Sequence, residues 1–336
     1  MRKRNMALAI TATFMSAALL LVIGPQRIAV ATTETGNAEL SATLRKHTEA
    51  GFNNLTAFTL HDGKATFAGL GADEHTEVEI GSVTKMFTAE LAHQLVEEGK
   101  ISLDTTVGEV LDVGQAPISE VTVQELLNHT SGLPRLAQGN IFADAITAVT
   151  GANPYAGETT QDILDAATEA DLKDRGTESY SNMGYGLLGH LLETAADTSY
   201  EELLHERILQ PAGMTETYLM TPGSVPDDAP RGLTATGREA DPWEMGGSNA
   251  AAGALRSTAH DMAAFAEWIM DNGDMAFGWQ KSEDNQSFWH DGGTGGYSTM
   301  LIIDPKNKRA AFANNDTPAW TSDLAQALFD GIKELH

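Results

Sequence analysis

The stretch EIGSVTKMF at residues 79–87 places Ser82 and Lys85 three positions apart at the start of an apolar pattern with helical spacing. This pattern predicts a helix from Ser82 to Glu98, with Gly99 in the position where helices commonly end. On a helix, two residues three apart lie on one face. A serine becomes a nucleophile when a base takes its proton, and a desolvated lysine can be that base. On this stretch alone, an ordinary solvent-exposed helical turn is the simpler interpretation.

A second candidate motif, Tyr180-Ser181-Asn182, lies on a predicted loop between two helical patterns. A tyrosine beside a lysine can act as an acid or a base, and an asparagine side chain can hold a substrate amide. By itself, the triplet also fits a buried aromatic residue followed by a helix-capping asparagine.

A third motif, HDGGTGG at residues 290–296, opens the C-terminal strand region. Four glycines in seven residues weaken a strand, and such glycines often mark a place where another group approaches the backbone closely. An extended substrate lying along an edge strand is one such group. A glycine-rich turn is the alternative interpretation.

Strand patterns lie near both ends of the chain, and helical patterns fill the middle. Residues 55–60 and 64–70 predict a hairpin, and residues 290–303 and 309–314 predict C-terminal strands. The helical patterns cover residues 82–98, 160–172, 184–196, 199–209, 257–270 and 321–335. This order predicts a sheet assembled from the N- and C-terminal segments with a helical domain inserted between them.

The composition excludes several classes of function. The chain of 336 residues has 47 acidic and 21 basic side chains, so nucleic acid and anionic lipid are disfavoured partners. It has no cysteine, which excludes disulfides, thiolate nucleophiles and thiolate metal sites. The histidines show no metal-binding spacing, and the GYGLLG stretch at residues 184–189 follows no predicted strand, so we interpret it as glycines packed in a helix. We expect no metal and no cofactor.

The first 31 residues have the layout of a secretory signal peptide. Three basic residues at positions 2–4 precede an apolar run at 6–23, and Ala29-Val30-Ala31 offers a small-x-small cleavage site. The run is also just long enough to span a membrane, so an uncleaved anchor is the alternative. We expect an exported protein, periplasmic or secreted, with residues 32–336 as the mature chain and no stable membrane association after cleavage.

Taken together, Ser82-x-x-Lys85, Tyr180-x-Asn182 and the basic-x-Gly triplet at 290–292 resemble the three-part signature of the serine penicillin-recognising enzymes. The resemblance is to the branch that contains class C β-lactamases, D-alanyl-D-alanine carboxypeptidases and β-lactamase-like esterases. Further similar stretches lie at residues 79–82, 126–133, 180–185, 211–214 and 257–261, so the resemblance runs from about residue 40 to 330.

This resemblance implies an α+β fold of the β-lactamase/penicillin-binding-protein type, in which helices flank an antiparallel sheet and an all-helical domain is inserted. The sheet part would comprise about residues 37–80 and 245–336, and the helical part about residues 81–244.

The resemblance also implies roles for individual residues. Ser82 would be the acylated nucleophile. Lys85 would accept its proton and Tyr180 would be the partner acid or base, and which residue acts as base in each half-reaction stays open. Asn182 would orient the substrate amide, and the backbone amides of Ser82 and Gly293 would form an oxyanion hole. His290, Asp291, Gly292 and Gly293 would lie on the strand that lines the substrate cleft and binds the substrate.

The third motif departs from the Lys-Thr-Gly of class C β-lactamases. His290 is only partly charged near neutral pH, and Asp291 is negative. If Asp291 points into the cleft, it repels an anionic substrate; if it faces away, as alternate strand residues do, little is lost. A histidine at this place also occurs in carboxypeptidases and esterases of the family. The departure therefore weakens the prediction of efficient β-lactam hydrolysis more than it weakens the prediction of serine acyl hydrolysis in general.

Three functions remain open from the sequence. The first, which we predict, is cleavage of an amide bond in a β-lactam or a D-Ala-D-Ala-type peptide through a Ser82 acyl-enzyme. The second is a carboxylesterase with the same residues, and the third is a non-catalytic penicillin-binding or scaffold protein. The expected partner is a small molecule or a peptidoglycan-derived peptide, and the oligomeric state stays unassigned. A usable cation in the cleft would favour the first function over the second.

Overall fold

The computed structural model describes residues 24–137, 150–283 and 285–332, without the side chain of Ser248. Its main feature is a seven-stranded antiparallel sheet with the strand order β1-β3-β2-β10-β9-β8-β7. The strands are β1 Glu34–Gly36, β2 Leu55–His61, β3 Lys64–Leu70, β7 Gln280–Lys281, β8 Phe288–Gly293, β9 Ser298–Asp304 and β10 Arg309–Asn315. Because β2 pairs with β10, the N- and C-terminal segments meet in the middle of the sheet, as predicted.

Nine helices are used below to locate the site. They are α1 Ala38–Lys46, α2 Thr84–Glu97, α3 Val107–Val110, α4 Val123–Leu127, α5 Thr160–Glu169, α6 Asn182–Ala196, α7 Tyr200–Leu204, α8 Ala259–Asn272 and α9 Ser322–Gly331. Helices α1 and α9 cover one face of the sheet over a small apolar core, and α8 covers the other face over a larger core that continues into the helical region. The predicted α+β fold is confirmed.

Helix α6 lies at the centre of the helical region. It packs against α2, α4, α5 and the 3₁₀ turn at Gly247–Ala252. Gly184, Gly186 and Gly189 are buried within it, and a Cβ on Gly186 would lie 3.1 Å from Asn249 Oδ1. These glycines allow close packing of the helix, which agrees with their interpretation from the sequence.

A second, three-stranded antiparallel sheet has the order β4-β6-β5, with β4 Val78–Glu79, β5 Tyr218–Leu219 and β6 Leu255–Ser257. The sequence did not predict this sheet, because strands of two or three residues show no alternation of apolar and polar residues. Strand β5 lies inside the segment expected to be all helical. Strand β4 leads directly into the turn that carries Ser82.

Most of the predicted signal peptide, residues 1–23, lies outside the described residues. In the part of the chain that the structure describes, no helix is long and apolar enough to cross a bilayer.

Candidate active site

Ser82 and Lys85 meet at the junction of the small sheet and helix α2. Ser82 lies in a 3₁₀ turn, Gly81–Val83, and α2 begins at Thr84, two residues later than predicted. Lys85 is fully buried in the first turn of α2, and its Nζ lies 3.2 Å from Ser82 Oγ. The predicted proximity of serine and lysine is therefore present in the fold.

Two further acceptors surround the Lys85 amine. Asn182 Oδ1 lies 2.8 Å from Nζ, and the carbonyl oxygen of Ala252 lies 2.5 Å from it. Burial holds the pKa of Lys85 well below its ordinary value of 10.5, Arg135 lowers it further, and Asp291 opposes the shift. Nζ donates to Ser82 Oγ, to Asn182 Oδ1 and to the Ala252 carbonyl; a neutral amine would keep the last two hydrogen bonds and leave its lone pair for the Ser82 hydroxyl.

Tyr180 lies on the loop before α6 and is half-buried. Its ring centroid is 4.8 Å from Lys85 Nζ and 4.4 Å from the ring of His129. Burial raises the pKa of the Tyr180 phenol above its ordinary value, and a hydrogen bond with Ser82 opposes that shift. These directions favour a protonated phenol beside a neutral amine.

The start of helix α6 positions the second motif. Ser181 caps the helix: its Oγ accepts the N–H of Gly184 at 2.9 Å and donates to the carbonyl of Pro134 at 2.7 Å. The N–H of Ser181 donates to Nδ1 of buried His129 at 3.1 Å. Asn182 is the first residue of the helix, and its Nδ2 donates to the hydroxyl of Tyr155 at 3.0 Å. Both ends of the Asn182 amide are thus engaged by the protein.

Strand β8 packs its glycines directly against the Ser82 turn. A Cβ on Gly292 would lie 2.0 Å from the carbonyl oxygen of Ile80 and 3.0 Å from the nitrogen of Ser82. A Cβ on Gly81 would lie 2.7 Å from the nitrogen of Gly293. Only glycine allows this close approach of strand β8 to the Ser82 turn.

The strand register places His290 and Asp291 on opposite faces of the main sheet. His290 pairs with Leu301, which belongs to the larger core, and Asp291 pairs with Met300, which belongs to the core under α1 and α9. Because cross-strand partners share a face, His290 points toward the helical region and Asp291 points away from it.

Neither side chain lines the cleft. His290 is buried, and burial lowers its pKa to about 4, with the nearby charge of Lys85 adding to the shift. Its Nδ1 lies 2.6 Å from the carbonyl oxygen of Asp291. Half-buried Asp291 has a pKa raised by burial. Of the two orientations left open for Asp291, the register gives the one that faces away from the helical region, and burial keeps the His290 side chain out of the cleft lining.

The cleft has a volume of about 390 Å³. Of the predicted site residues, Ser82, Asn182 and Gly293 line it, while Lys85, Tyr180 and Gly292 lie behind the lining. Most of the remaining wall is apolar: Leu136, Pro154, Tyr155, Ala235, Trp243, Met245, Ala252 and Pro318. Trp243 and Tyr155 contact edge to face, with ring centroids 5.3 Å apart.

Arg135 is the one charged residue among the described residues that line the cleft. Its backbone carbonyl accepts the N–H groups of Asn182 and Met183 at 3.0 and 3.2 Å, which ties it to the start of α6. Its guanidinium carbon is 5.2 Å from the Tyr180 ring centroid, and no carboxylate of the described residues forms an ion pair with it. Arg135 was not among the residues predicted from the sequence, although it directly follows Gly132-Leu133-Pro134 beside a stretch that resembles the family.

Comparisons with known proteins agree with this geometry. A family model described as Beta-lactamase matches residues 40–318. The chain is 29% identical over 248 residues to "Penicillin-binding protein 4" of Amycolatopsis lactamdurans, covering 69% of this chain and 60% of that protein. It is 29% identical over 201 residues to the Escherichia coli (strain K12) "D-alanyl-D-alanine-carboxypeptidase/endopeptidase AmpH", covering 58% of this chain and 49% of that protein. The chain thus spans about half to three fifths of the length of these relatives.

The fold is similar to that of solved structures at lower identity. A structure described as "A class C beta-lactamase" superposes with a TM-score of 0.73 at 17% identity, covering 90% of this chain and 99% of the other. A D-stereospecific amidohydrolase from Streptomyces sp. superposes with a TM-score of 0.70 at 20% identity, covering 86% and 97%. At these identities the likeness concerns the fold alone.

Proposed function

The chain belongs to the β-lactamase family, and on this premise we propose that it cleaves an amide bond in a β-lactam or a D-Ala-D-Ala-type peptide through a Ser82 acyl-enzyme. The observation that carries the proposal is the position of Lys85. Its Nζ is buried 3.2 Å from Ser82 Oγ, and burial lowers its pKa well below the ordinary value. A neutral amine at this distance is a base that can activate the serine.

In the proposed acylation, Ser82 Oγ bonds to the substrate carbonyl carbon while Lys85 accepts the hydroxyl proton. The backbone N–H groups of Ser82 and Gly293 would stabilise the oxyanion, and removing one such donor typically costs about 3–4 kcal/mol. The C–N bond then breaks, and the leaving nitrogen receives a proton from Tyr180, which Lys85 reprotonates. Water attacks the acyl-enzyme with the same groups acting in reverse. The raised pKa of Tyr180 supports its role as the acid.

Arg135 supports a substrate that carries a carboxylate. β-Lactams and D-Ala peptides both have one close to the bond that is cleaved. His290, with a pKa of about 4, is neutral at pH 7 and supplies no positive charge. The guanidinium of Arg135 lies at the cleft wall and can pair with a carboxylate through two parallel hydrogen bonds. This cation favours the amide substrates over neutral esters.

The apolar remainder of the cleft wall favours the second candidate, a carboxylesterase on small acyl esters with the same catalytic residues. Leu136, Met245 and Trp243 would hold an acyl chain without any contribution from Arg135. A non-catalytic scaffold is disfavoured, because Ser82, Lys85, Tyr180 and Asn182 are all present and a chain that had lost its activity would be expected to lack at least one of them.

The central experiment is intact mass spectrometry of the protein mixed with a penicillin. We expect an adduct of the penicillin's mass on the wild type and on Ser102→Ala, a variant of an exposed serine, and no adduct on Ser82→Ala. The rate at which the adduct disappears separates rapid hydrolysis from slow penicillin binding. An adduct or full turnover with Ser82→Ala would contradict the proposal.

The substrate class is tested with Arg135→Gln. A hydrogen bond to a charged group contributes about 1.5–3 kcal/mol. Because Arg135 is exposed to solvent, we expect its hydrogen bond to a substrate carboxylate to contribute an amount at the lower end of this range. We therefore expect kcat/KM for a penicillin to fall about tenfold and kcat/KM for p-nitrophenyl butyrate to change little. Ser82-dependent turnover of the ester without any penicillin adduct would assign the esterase function instead.

We also propose that the protein is exported and loses residues 1–31. The basic, apolar and small-residue layout of that segment supports this. Mass spectrometry of the protein recovered from the periplasm or the medium should give a chain that begins at residue 32. A chain of full-length mass in the membrane fraction would indicate the anchored alternative.

A further inference from the structure

Three side chains that could ligate a metal meet at one end of the small sheet. His75 precedes β4, Glu216 precedes β5 and His260 follows β6. Strand β6 runs antiparallel to both of its neighbours, so its end lies beside the starts of β4 and β5. The pairing of the strands therefore brings together residues that are far apart in the chain. No spacing in the sequence could have predicted this group.

The distances suit a small divalent ion. His75 Nδ1 lies 3.0 Å from both carboxylate oxygens of Glu216, and His260 Nδ1 lies 3.8 Å from Glu216 Oε2. One ligand atom from each residue lies within 4.8 Å of the others. Zinc bonds of about 2.0–2.1 Å in tetrahedral geometry separate neighbouring ligand atoms by about 3.3 Å. The separations of 3.0 and 3.8 Å lie on either side of this value.

The two imidazole rings are accessible to solvent, while Glu216 is held in place by hydrogen bonds. The side chains of His75 and His260 are 54% and 47% exposed, so an ion can enter and water can complete its coordination. Thr258 Oγ1 donates to Glu216 Oε2 at 3.1 Å, and fully buried Asp261 accepts the N–H of Glu216 at 2.7 Å. Hydrogen bonds of this kind orient the ligands of metal sites.

The charges around the group also favour a cation. Glu216, Glu74 and Asp73 all place negative charge near His75. These negative charges favour either a proton on His75, which then forms an ion pair with Glu216, or a metal ion that binds in place of the proton. The chemistry of two imidazoles and one carboxylate, with room for water, matches the ligand set of zinc.

We propose that His75, Glu216 and His260 form a binding site for a divalent transition-metal ion, with zinc as the best fit. The ion joins the ends of all three strands of the small sheet and stabilises their pairing. The opposite end of β4 runs through Ile80 and Gly81 to Ser82, so the ion supports the segment that carries the proposed nucleophile. It takes no part in the acyl-transfer step.

The test is a calorimetric titration of the metal-free protein with Zn²⁺, together with thermal unfolding at increasing Zn²⁺. We expect one ion per chain, release of protons from the histidines and a rise of Tm. His75→Asn, Glu216→Gln and His260→Asn should each weaken binding at least tenfold and abolish the rise of Tm. His205→Asn, at an exposed histidine outside the group, should bind as the wild type does.

Co²⁺ provides a second readout that does not depend on stability. Bound in place of Zn²⁺, it should give the visible absorption of a tetrahedral cobalt site in the wild type and in His205→Asn. Circular dichroism checks that each variant is folded. No saturable binding by the wild type, or equal binding by the three variants and the control, would show that the group is an ion pair and would overturn the proposal.

Discussion

His129 couples the stability of the fold to pH through the loop that carries Tyr180. Its Nδ1 accepts the N–H of Ser181 at 3.1 Å, and this hydrogen bond requires an unprotonated nitrogen. Burial lowers the pKa of His129 from its ordinary value of 6.5 to about 3, and the positive charge of Arg135 adds to the shift. The folded protein therefore keeps this ring neutral in mildly acidic solution.

The sign and size of the effect follow from proton binding. Between pH 6.5 and pH 3 the unfolded chain binds a proton at His129 and the folded chain does not. Stability is therefore complete above pH 6.5 and is lost as the pH falls through this window. At pH 5, the unfolded state gains about 2 kcal/mol from this one histidine.

The perturbation is His129→Asn. His129 has a φ of 57°, a left-handed conformation that asparagine tolerates, and an asparagine oxygen can also accept a hydrogen bond. At about pH 7.5 the variant should be less stable by about 1–3 kcal/mol, because the ring contacts with Tyr180 and Tyr185 are lost. At about pH 5 the difference should shrink by about 2 kcal/mol, since only the wild type loses stability through this ring.

Urea unfolding of both proteins at the two pH values measures the difference in the free energy of unfolding. His205→Asn serves as the control, because this histidine is exposed and its difference from the wild type should be the same at both pH values. A difference between His129→Asn and the wild type that is equal at both pH values would refute the reasoning.

Three other perturbations test the site. Asp291→Thr should change kcat/KM for a penicillin and for p-nitrophenyl butyrate by the same factor. The reason is that Asp291 lies on the same sheet face as Met300, away from the helical region. A gain in kcat/KM for the penicillin alone would contradict this placement. Gly292→Ala should slow penicillin acylation at least 100-fold, as an oxyanion donor is displaced, whereas Gly331→Ala, with open space around it, should not. The acylation rate should rise much less than about 100-fold from pH 7 to 9, because burial lowers the pKa of Lys85; a 100-fold rise would indicate an ordinary lysine.

The long strands were predictable because each shows a local pattern. Residues 55–60, 64–70 and 309–314 alternate or cluster apolar residues over six or seven positions, and the structure has strands there. Strands β4, β5 and β6 are too short for such a pattern, and they form through pairing between distant segments. The metal-ligand group at the end of this sheet was hidden for the same reason.

Only part of the proposed catalytic site could be predicted from the sequence. The spacing of Ser82 and Lys85 predicted their proximity, and Asn182 joins them through its hydrogen bond to Lys85. The third acceptor, the carbonyl of Ala252, lies 167 positions away from Lys85 and carries no side-chain signal. Arg135 was missed because its place at the cleft depends on how its loop is tied to the start of α6.

The sequence by itself determined the longer strands of the main sheet and the residues that could supply nucleophile and base, because helical spacing and strand periodicity are local properties of the chain. Only the tertiary structure decided that burial lowers the pKa of Lys85, that Asp291 faces away from the helical region, and that Arg135 lies at the cleft. Burial, strand register and cleft lining all arise from contacts between segments that are distant in sequence, so no local pattern encodes them.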